Sequence, residues 1–446
     1  MSSRLIDRVR NAQQNASGDD SGPEDFSRIK AELHKELVAS LDFDQVRKTP
    51  REELKARLRR SLSETIQNRQ LPLNRAERDR LADEILDEIT GLGPLEPLLE
   101  DDTISDILIN GYETVYVERN GRLERAACRF NSPEHLMQII DRIVSQVGRR
   151  IDESNPMVDA RLADGSRFNA IIPPLALDGA MVSIRRFGNR PMTPEELVRK
   201  GSVPKPMLDL LHAACKARLN ILVSGGTGSG KTTLLNCMSG FIPEDQRIVT
   251  IEDAAELRLQ QRHVVRLETR PANLEGEGKI NAEDLLRNAL RMRPDRIVVG
   301  EIRGKEAVDM LQAMNTGHEG SMSTVHANST RDALSRVETM VGMGLFNTSD
   351  QRIREVISRA LDIIIQLERM PDGTRRLTAI TEILGMEGNV ISTQDIFVFE
   401  QTGINDQGQV TGTFRATGVR PNFGKKLAQA GIQLPAELFR YRKDVP

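Results

Sequence analysis

The feature that most limits how this chain can fold is the stretch GGTGSGKTT at positions 225–233. Gly225, Gly230, Lys231 and Thr232 occupy the defining positions of the pattern G-x-x-x-x-G-K-[ST]. An apolar run of strand character enters the stretch, and a segment with the apolar spacing of a helix leaves it. Because a phosphate-binding loop needs this order of strand, loop and helix, the sequence predicts an α/β domain that binds nucleotide phosphates.

Each residue type in this loop has a defined use in holding phosphate. Glycines let backbone N–H groups wrap a β-phosphate without a Cβ clash, and the N-terminus of the following helix adds partial positive charge. We expect Lys231 to bridge the β- and γ-phosphates and Thr232 to give an oxygen to Mg²⁺, so the predicted cofactors are ATP and Mg²⁺. The predicted nucleotide-binding residues are Gly225, Gly226, Thr227, Gly228, Ser229, Gly230, Lys231, Thr232 and Thr233.

Two later apolar runs end in acidic residues. RIVTIED delivers Glu252, and DRIVVGEIRG delivers Glu301. In a parallel sheet these strand ends meet at the edge that binds the ligand, where a carboxylate can hold the Mg²⁺ shell or polarise the attacking water. Gly300 separates the second apolar run from its acid, and we expect it to let the chain bend so that the carboxylate faces the phosphates. Both acids are catalytic candidates, and Glu301 joins Thr232 as a metal candidate.

An arginine that reaches the phosphoryl oxygens can raise the rate of hydrolysis by on the order of 10³–10⁵. Three candidates lie near the second acidic run, namely Arg291, Arg293 and Arg303. Four more lie in the preceding domain, namely Arg161, Arg167, Arg185 and Arg186. An arginine from another domain or subunit would make catalysis depend on closure, which favours the second group. The residues alone do not fix which of them acts.

A histidine stands among polar residues in GSMSTVHANS, in a chain that has six histidines. The zinc pattern H-E-x-x-H is not completed, because Met322 stands four residues after His318. Neither Ser321 nor Ser323 lies between glycines in the serine-hydrolase pattern G-x-S-x-G. The residues leave two interpretations open for His326, a structural histidine or a polar sensor of the γ-phosphate.

Composition excludes several classes of protein. Charged residues make up 28% of the chain but the net charge is −3, so no overall positive field would draw it onto nucleic acid or anionic lipid. Aromatic residues make up 3%, which leaves few platforms for base stacking. The three cysteines lack C-x-x-C spacing and fit a reducing cytosol. No apolar run approaches the ~18 residues of a membrane span, so we expect any membrane contact to be peripheral.

The N-terminal part of the chain is predicted to contain three segments. Residues 1–25 are polar and interrupted by Gly and Pro, which is typical of disorder. Residues 26–98 are predicted to form a helical appendage, and residues 99–187 an α+β domain of short strands with a helix at 133–147. The appendage carries two apolar stripes, which fit either an ordinary core or a partner-docking surface. The stripes are Ile29, Leu33, Leu37 and Leu41, and Leu81, Ile85, Leu86 and Ile89.

The C-terminal part begins after a predicted linker at 188–203. Within it, Thr193 and Glu196 have the spacing of a capping box, which marks the start of a helix. Residues 204–446 alternate strands and helices as in an α/β domain around a largely parallel sheet, and they end in hairpins. The predicted hairpin turns are Pro371-Asp372-Gly373 and Asp406-Gln407-Gly408.

Four motifs in this order resemble those of the secretion ATPase superfamily, the traffic ATPases of type II and type IV secretion and of pili. GGTGSGKTT is similar to the Walker A motif of that family, IVTIEDAAEL to its aspartate box, LRMRPDRIVVGEIRG to its Walker B motif and STVHANS to its histidine box. The stretches SDILINGYETVYVERNGRLE, DARLADGSRFNAIIPP and TRPANLEGEGKINAEDLL look most like the CpaF branch, whose members power tight-adherence (Flp-type) pili. The resemblance covers residues 30–385.

The resemblance implies a RecA-like P-loop ATPase domain preceded by a sensor-like α+β domain and the helical appendage. ATP would lie between the two lobes of each subunit of a homohexamer. Glu301 would position the attacking water. His326, with Thr324 and Asn328 at alternate positions of the same strand, would sense the γ-phosphate. Arginines of the N-terminal lobe would complete the site when the lobes close. The catalytic residues implied in this way are Glu301, Glu252, His326, Arg185 and Arg186.

These observations together predict a cytoplasmic hexameric motor, peripheral at the inner membrane, that powers a Flp/Tad-type pilus through polytopic inner-membrane platform proteins. A type IV secretion ATPase is the alternative within the family. The C-x-x-C pairs of type II secretion ATPases are missing, which argues against that branch. A RecA-like DNA translocase is disfavoured by the charge and the scarce aromatics, so no direct nucleic-acid partner is expected. The presence of Glu301 disfavours a non-hydrolysing scaffold.

Overall fold

The computed structural model describes residues 51–69, 91–119, 121–162, 164–186, 192–270, 277–345 and 348–445, with the single positions 79, 83, 84, 87 and 272. The predicted disordered segment 1–25 and both apolar stripes of the predicted appendage lie outside the described residues. In the part of the appendage that is described, helix α1 spans Arg51–Arg69. None of the described helices has the length and apolar character that crossing a membrane requires.

The chain divides into two compact units. The first unit ends at Arg186, and the second contains the rest of the chain together with residues 120–122. The finer domain boundaries predicted above stay predictions.

The first unit contains a six-stranded sheet in the order β3-β2-β1-β6-β5-β4. Its strands are β1 Ile104–Asn110, β2 Thr114–Arg119, β3 Arg122–Arg125, β4 Met157–Arg161, β5 Arg167–Ile171 and β6 Met181–Arg185. Helices are α2 Glu96–Glu100, preceded by a 3-10 turn at Gly93–Leu95, and α3 Pro133–Gln146. Burial alternates along β5, as expected for a sheet with one face on the core. The predicted α+β pattern of this unit is confirmed.

Helix α3 packs its apolar side chains into the core of the first unit. Ser132 caps its N-terminus by accepting a hydrogen bond from the backbone N–H of His135. Apolar residues three and four positions apart then form the buried stripe, which consists of Leu136, Ile139, Ile140, Ile143 and Val144.

The second unit is built on a ten-stranded sheet in the order β16-β15-β14-β13-β12-β7-β11-β10-β8-β9. Its strands are β7 Ile221–Gly225, β8 Ile248–Glu252, β9 Val264–Glu268, β10 Arg296–Val299, β11 Met322–Val325, β12 Ile363–Arg369, β13 Arg375–Glu387, β14 Val390–Ile404, β15 Val410–Ala416 and β16 Arg442–Val445. The six strands from β12 to β9 are parallel to their neighbours, and the remaining pairs are antiparallel. This is the predicted RecA-like α/β architecture, extended at one edge by the predicted hairpins.

Helices cover both faces of the parallel strands. They are α4 Pro194–Arg199, α5 Lys205–Lys216, α6 Lys231–Ser239, α7 Ala282–Ala289, α8 Glu306–Asn315, α9 Thr330–Gly344, α10 Asp350–Ala360 and α11 Gly424–Gln429, with a 3-10 turn at Ala436–Arg440. Along β7, Ile221 and Val223 join the core on one face, whereas Leu222 joins the core on the other. A strand buried on both sides has to be apolar at every position, which explains the uninterrupted run before the glycine-rich loop.

Local predictions in the second unit are confirmed. Thr193 and Glu196 form the capping box of α4, with each side chain accepting a hydrogen bond from the other residue's backbone N–H. Strands β12 and β13 form one hairpin around the turn at 371–373, and β14 and β15 form another around the turn at 406–408.

Candidate functional site

The glycine-rich loop lies at the carboxyl end of β7, immediately before α6. Gly228 and Gly230 have φ values of 68° and 97°, a region that favours glycine. A Cβ on Gly225 would lie 2.5 Å from the carbonyl oxygen of Leu367 on β12. These glycines are therefore required by the backbone, and Thr227 and Gly228 are exposed at the rim of the loop. The result is a cradle of main-chain groups that fits phosphate oxygens.

Lys231 points its ammonium into this cradle. Its Nζ donates hydrogen bonds to the carbonyl oxygens of Gly225 at 2.8 Å and Gly226 at 2.9 Å. Ser229 Oγ also donates to Gly226 O, at 2.9 Å, and so helps to fix the loop. Thr232 lies in the first turn of α6 and is partly exposed, as is Lys231. An ammonium held by carbonyl oxygens at this position can exchange them for the oxygens of a bound phosphate.

Glu252 is the last residue of β8, and it is buried. Its Oε1 accepts hydrogen bonds from the backbone N–H groups of Glu256 at 2.9 Å and Leu257 at 2.8 Å. Its Oε2 is also buried and has no hydrogen-bond partner among the described residues. Burial raises the pKa of Glu252 from its usual 4.5 to about 7, although the two N–H groups and the nearby Arg266 oppose that rise. This carboxyl group can therefore change its protonation state near neutral pH.

Gly300 follows β10 and serves a purpose that the sequence did not reveal. Its φ is not in the left-handed region, so the backbone conformation does not require glycine. A Cβ at this position would instead lie 2.9 Å from Cγ of Glu252 and 3.5 Å from Cβ and Oε1 of the same residue. The glycine leaves room for the side chain of Glu252 on the neighbouring strand. The chain also bends at Gly300, as expected from the sequence.

Glu301 extends from the end of β10 and is held by an ion pair. Its Oε2 lies 2.6 Å from Nη2 of Arg303, whose Nη1 lies 3.3 Å from Oδ2 of Asp253. Oε1 of Glu306 accepts hydrogen bonds from the backbone N–H groups of Arg303 and Gly304. Arg303 thus joins the carboxylates that follow two adjacent strands, β10 and β8.

His326 follows the end of β11. The structure ends this strand at Val325 and places Asn328 in a bend before α9, so the interpretation that Thr324, His326 and Asn328 alternate along one strand is wrong. Ser329 explains the early end, because it caps α9 by accepting a hydrogen bond from Asp332 N–H. Burial and then the Lys231 cation hold the pKa of His326 below its usual 6.5, whereas Glu301 acts in the opposite direction. The imidazole is thus within electrostatic reach of the lysine and the acid.

The order of the strands accounts for this grouping. Strands β7, β11, β10 and β8 are consecutive neighbours in the sheet. At their carboxyl ends lie, in the same order, the phosphate loop that leads to Lys231, then His326, Glu301 and Glu252. Parallel strands place their carboxyl ends on one edge, and ligands of α/β proteins bind at that edge.

Arg185 and Arg186 belong to the first unit. Arg186 is mostly buried there and donates hydrogen bonds to the backbone carbonyls of Leu99 at 2.6 Å and Ile104 at 3.1 Å. Arg185 is exposed, with Nε 3.4 Å from Oδ1 of Asp106. Arg185 therefore makes fewer and longer contacts within the first unit than Arg186 does.

Arg375 lies against the phosphate loop, and the sequence did not identify it as a site residue. Its Nε donates a hydrogen bond of 2.7 Å to the carbonyl oxygen of Gly228, and its Cδ lies 3.6 Å from where a Cβ of Gly230 would be. It stands directly opposite Arg369 in the β12–β13 hairpin. The predicted turn at 371–373 could locate the hairpin but not its neighbour, because the pairing of β12 with β7 joins residues more than a hundred positions apart.

Among the residues that the structure describes, no three His, Cys, Asp or Glu side chains group as a metal site. The phosphate cradle itself fits a nucleoside triphosphate, because it combines main-chain N–H groups, one lysine and the hydroxyl of Thr232. Mg²⁺ in such sites is held by one or two protein oxygens together with the phosphates.

The sequence profile of one protein family, described as "Type II/IV secretion system protein", matches residues 88–412. A conjugal transfer protein of Mycobacterium tuberculosis is 40% identical over 311 residues, which cover 68% of this chain and 87% of that protein. The type IV secretion system protein PtlH of Bordetella pertussis is 36% identical over 318 residues, which cover 64% of this chain and 91% of that protein. The solved VirB11 ATPase from the Brucella suis type IV secretion system is 30% identical, covers 65% of this chain and 92% of its own, and has a TM-score of 0.36.

Proposed function

Because the chain belongs to the type II/IV secretion system protein family, we propose that it is an ATP-hydrolysing motor of a secretion or pilus-assembly machine. One observation carries the assignment of ATP hydrolysis. A histidine and two glutamates lie at the ends of three adjacent strands, and the strand next to them leads into the phosphate loop and its lysine. This set can hold the phosphates, contact the transferred group and activate water.

The residues of the second unit have separate tasks in the proposed reaction. The loop and Lys231 hold the β- and γ-phosphates, and Glu301 orients a water and takes its proton. The water oxygen bonds to the γ-phosphorus as the bond to the β-phosphate oxygen breaks, which gives ADP and phosphate. Glu252 supports Glu301, and His326 donates a hydrogen bond to an oxygen of the γ-phosphate. Mg²⁺, held by Thr232 and Glu301, would neutralise charge on the phosphates.

Arginines of the N-terminal lobe are proposed to complete the site on closure. We retain Arg185 and Arg186 as candidates. The exposure of Arg185 supports it over Arg186, whose guanidinium already serves backbone carbonyls. A charge supplied by closure would couple hydrolysis to movement.

The finer proposal is a homohexamer that acts at the cytoplasmic face of the inner membrane, through polytopic platform proteins, to assemble a Flp/Tad-type pilus, with retraction as a second candidate action. The resemblance of three stretches to the CpaF branch supports this choice. A second candidate, a type IV secretion ATPase, is supported by the names of similar proteins, which include conjugal transfer proteins and PtlH. No direct contact with nucleic acid is proposed in either case.

Hydrolysis is tested by comparing two substitutions in the purified protein. Glu301→Gln should bind ATP with unchanged affinity but lose turnover by about 10²–10⁴-fold, since it removes the general base. Lys231→Ala should lose nucleotide affinity. Glu319→Gln, an exposed change in the loop before β11, is the matched control and should behave as wild type. Wild-type turnover in Glu301→Gln would contradict the proposed function.

The two cellular roles are separated by deleting the gene. Loss of surface pili with unchanged export of protein and DNA would support the pilus motor. Loss of export in cells that retain their pili would support the type IV secretion ATPase instead.

A further inference from the structure

The backbone on either side of Glu301 is fixed by hydrogen bonds to its neighbouring strands. Toward β8, the N–H of Gly300 donates to the carbonyl oxygen of Ile251 at 2.8 Å. Toward β11, both contacts go to one residue, Thr324. Its hydroxyl Oγ1 donates to the carbonyl oxygen of Gly300 at 2.7 Å, and its carbonyl oxygen accepts from the N–H of Ile302 at 2.9 Å.

We propose that Thr324 is a positioning residue for Glu301. It holds the residue before the acid through its side chain and the residue after the acid through its backbone. The inference rests on the proposed role of Glu301 in ATP hydrolysis, and it assigns to the histidine-box strand a task besides presenting His326.

Thr324 lies near the end of its strand, where its hydroxyl is needed to bond the carbonyl oxygen of Gly300. Strand β10 ends at Val299, so the segment 300–302 lies beyond the regular ladder with β11. The side chain of Thr324 supplies a hydrogen bond to this segment, and at 2% exposure water has little access to replace it. Ile302 is itself buried, which fixes the far side of the acid. The hydroxyl of Thr324 is thus one of the contacts that fix the backbone from which the Glu301 side chain extends.

The alternative role for Thr324 is ordinary packing in the core, and the chain offers a matched control for it. Thr250 lies on β8 in the same sheet, fully buried and opposite Val298 of β10. In the described part of the chain its Oγ1 has no hydrogen-bond partner. Replacement of threonine by valine is nearly isosteric. At position 324 it removes a hydroxyl that donates a hydrogen bond, whereas at position 250 it removes a hydroxyl without a partner among the described residues.

The experiment measures ATPase kinetics and nucleotide affinity of the full chain. Thr324→Val should lower kcat by about 10- to 100-fold, because a misplaced catalytic group costs rate rather than binding. KM and the Kd for ADP should stay within about twofold of wild type. Thr324→Ser should recover most of kcat, and Thr250→Val should match wild type in both. Wild-type kcat in Thr324→Val, or equal losses in Thr324→Val and Thr324→Ser, would overturn the proposal.

Two further comparisons keep the result interpretable. If Thr324→Val does not fold, Thr324→Ala is compared with Thr324→Ser, since these two differ only in the hydroxyl, and equal kcat would overturn the inference. Glu301→Gln is measured alongside. Full ATP turnover in Glu301→Gln would contradict the proposed function itself. An inactive Glu301→Gln together with wild-type kcat in Thr324→Val would contradict only the role of Thr324.

Discussion

The Cβ that Gly300 lacks would lie 2.9 Å from Cγ of Glu252. Real Cβ atoms do not approach a carbon this closely, and the carboxylate of Glu252 is fixed by two backbone N–H groups. The glycine of one strand end therefore sets the position of the acid on the next. Two of the proposed catalytic acids, Glu252 and Glu301, are linked in this way through the residue that precedes the second one.

Gly300→Ala is expected to displace Glu252 and reduce ATP turnover by at least about tenfold while the protein stays folded. Overpacking of this kind costs about 1–3 kcal/mol of stability. Turnover and melting temperature measure the two effects. Gly424→Ala is the control, because among the described residues its added Cβ would meet no atom within 4 Å apart from its chain neighbours and the backbone of its own helix. Equal activity of the two variants would show that Glu252 tolerates the methyl group.

Glu252→Gln is expected to change how stability depends on pH. The folded protein keeps the Glu252 proton up to about pH 7, whereas the unfolded chain releases it near 4.5. The wild type therefore loses stability from this group as pH rises between those values, and the glutamine variant does not. From pH 5 to pH 8 the stability of the variant relative to wild type should rise by about 2–3 kcal/mol. Melting temperatures from pH 5 to pH 8 test this, and a gap that does not widen with pH would contradict it.

His326→Ala is expected to weaken the binding of ATP but not the binding of ADP. If the imidazole contacts the γ-phosphate, the variant should bind ADP normally, bind a non-hydrolysable ATP analogue more weakly and lose turnover. A proton-transfer or hydrogen-bond group of this kind is worth about 10²-fold. Titration calorimetry with both nucleotides measures the difference. Unchanged turnover would refute the sensor role.

Arg375→Ala is expected to weaken nucleotide binding, because the side chain bonds Gly228 O and brings positive charge to the rim of the loop. Loss of one charge-assisted hydrogen bond corresponds to about a tenfold rise in the Kd for ADP. Arg442→Ala, which removes an exposed arginine from the same sheet, should leave Kd unchanged. A wild-type Kd in Arg375→Ala would limit that residue to a structural role.

The sequence was sufficient for the parts of the fold and site that depend on local order. The glycine-rich loop, the acid-ended strands and the two hairpins follow from patterns within about ten residues, and the structure has them where predicted. Contacts between strands that are distant in sequence could not be read in this way. Gly300 meets Glu252, and Arg375 meets Gly228, only because the sheet brings these segments side by side. The end of β11 at Val325 was missed because Ser329 favours the cap of α9 over a longer strand.

Strand β7 is the first of the six parallel strands to be synthesised, yet it lies between β11 and β12, which come about a hundred residues later. One edge can pair only once β11 has been synthesised and the other only once β12 has, so the pairing is complete only after the ribosome has passed residue 367, which pairs with Gly225. Unpaired apolar strand edges invite aggregation and non-local pairing is slow, so this segment is the vulnerable part of the nascent chain. A translation product that stops before β12 therefore keeps one edge of the strand that leads into the phosphate loop unpaired.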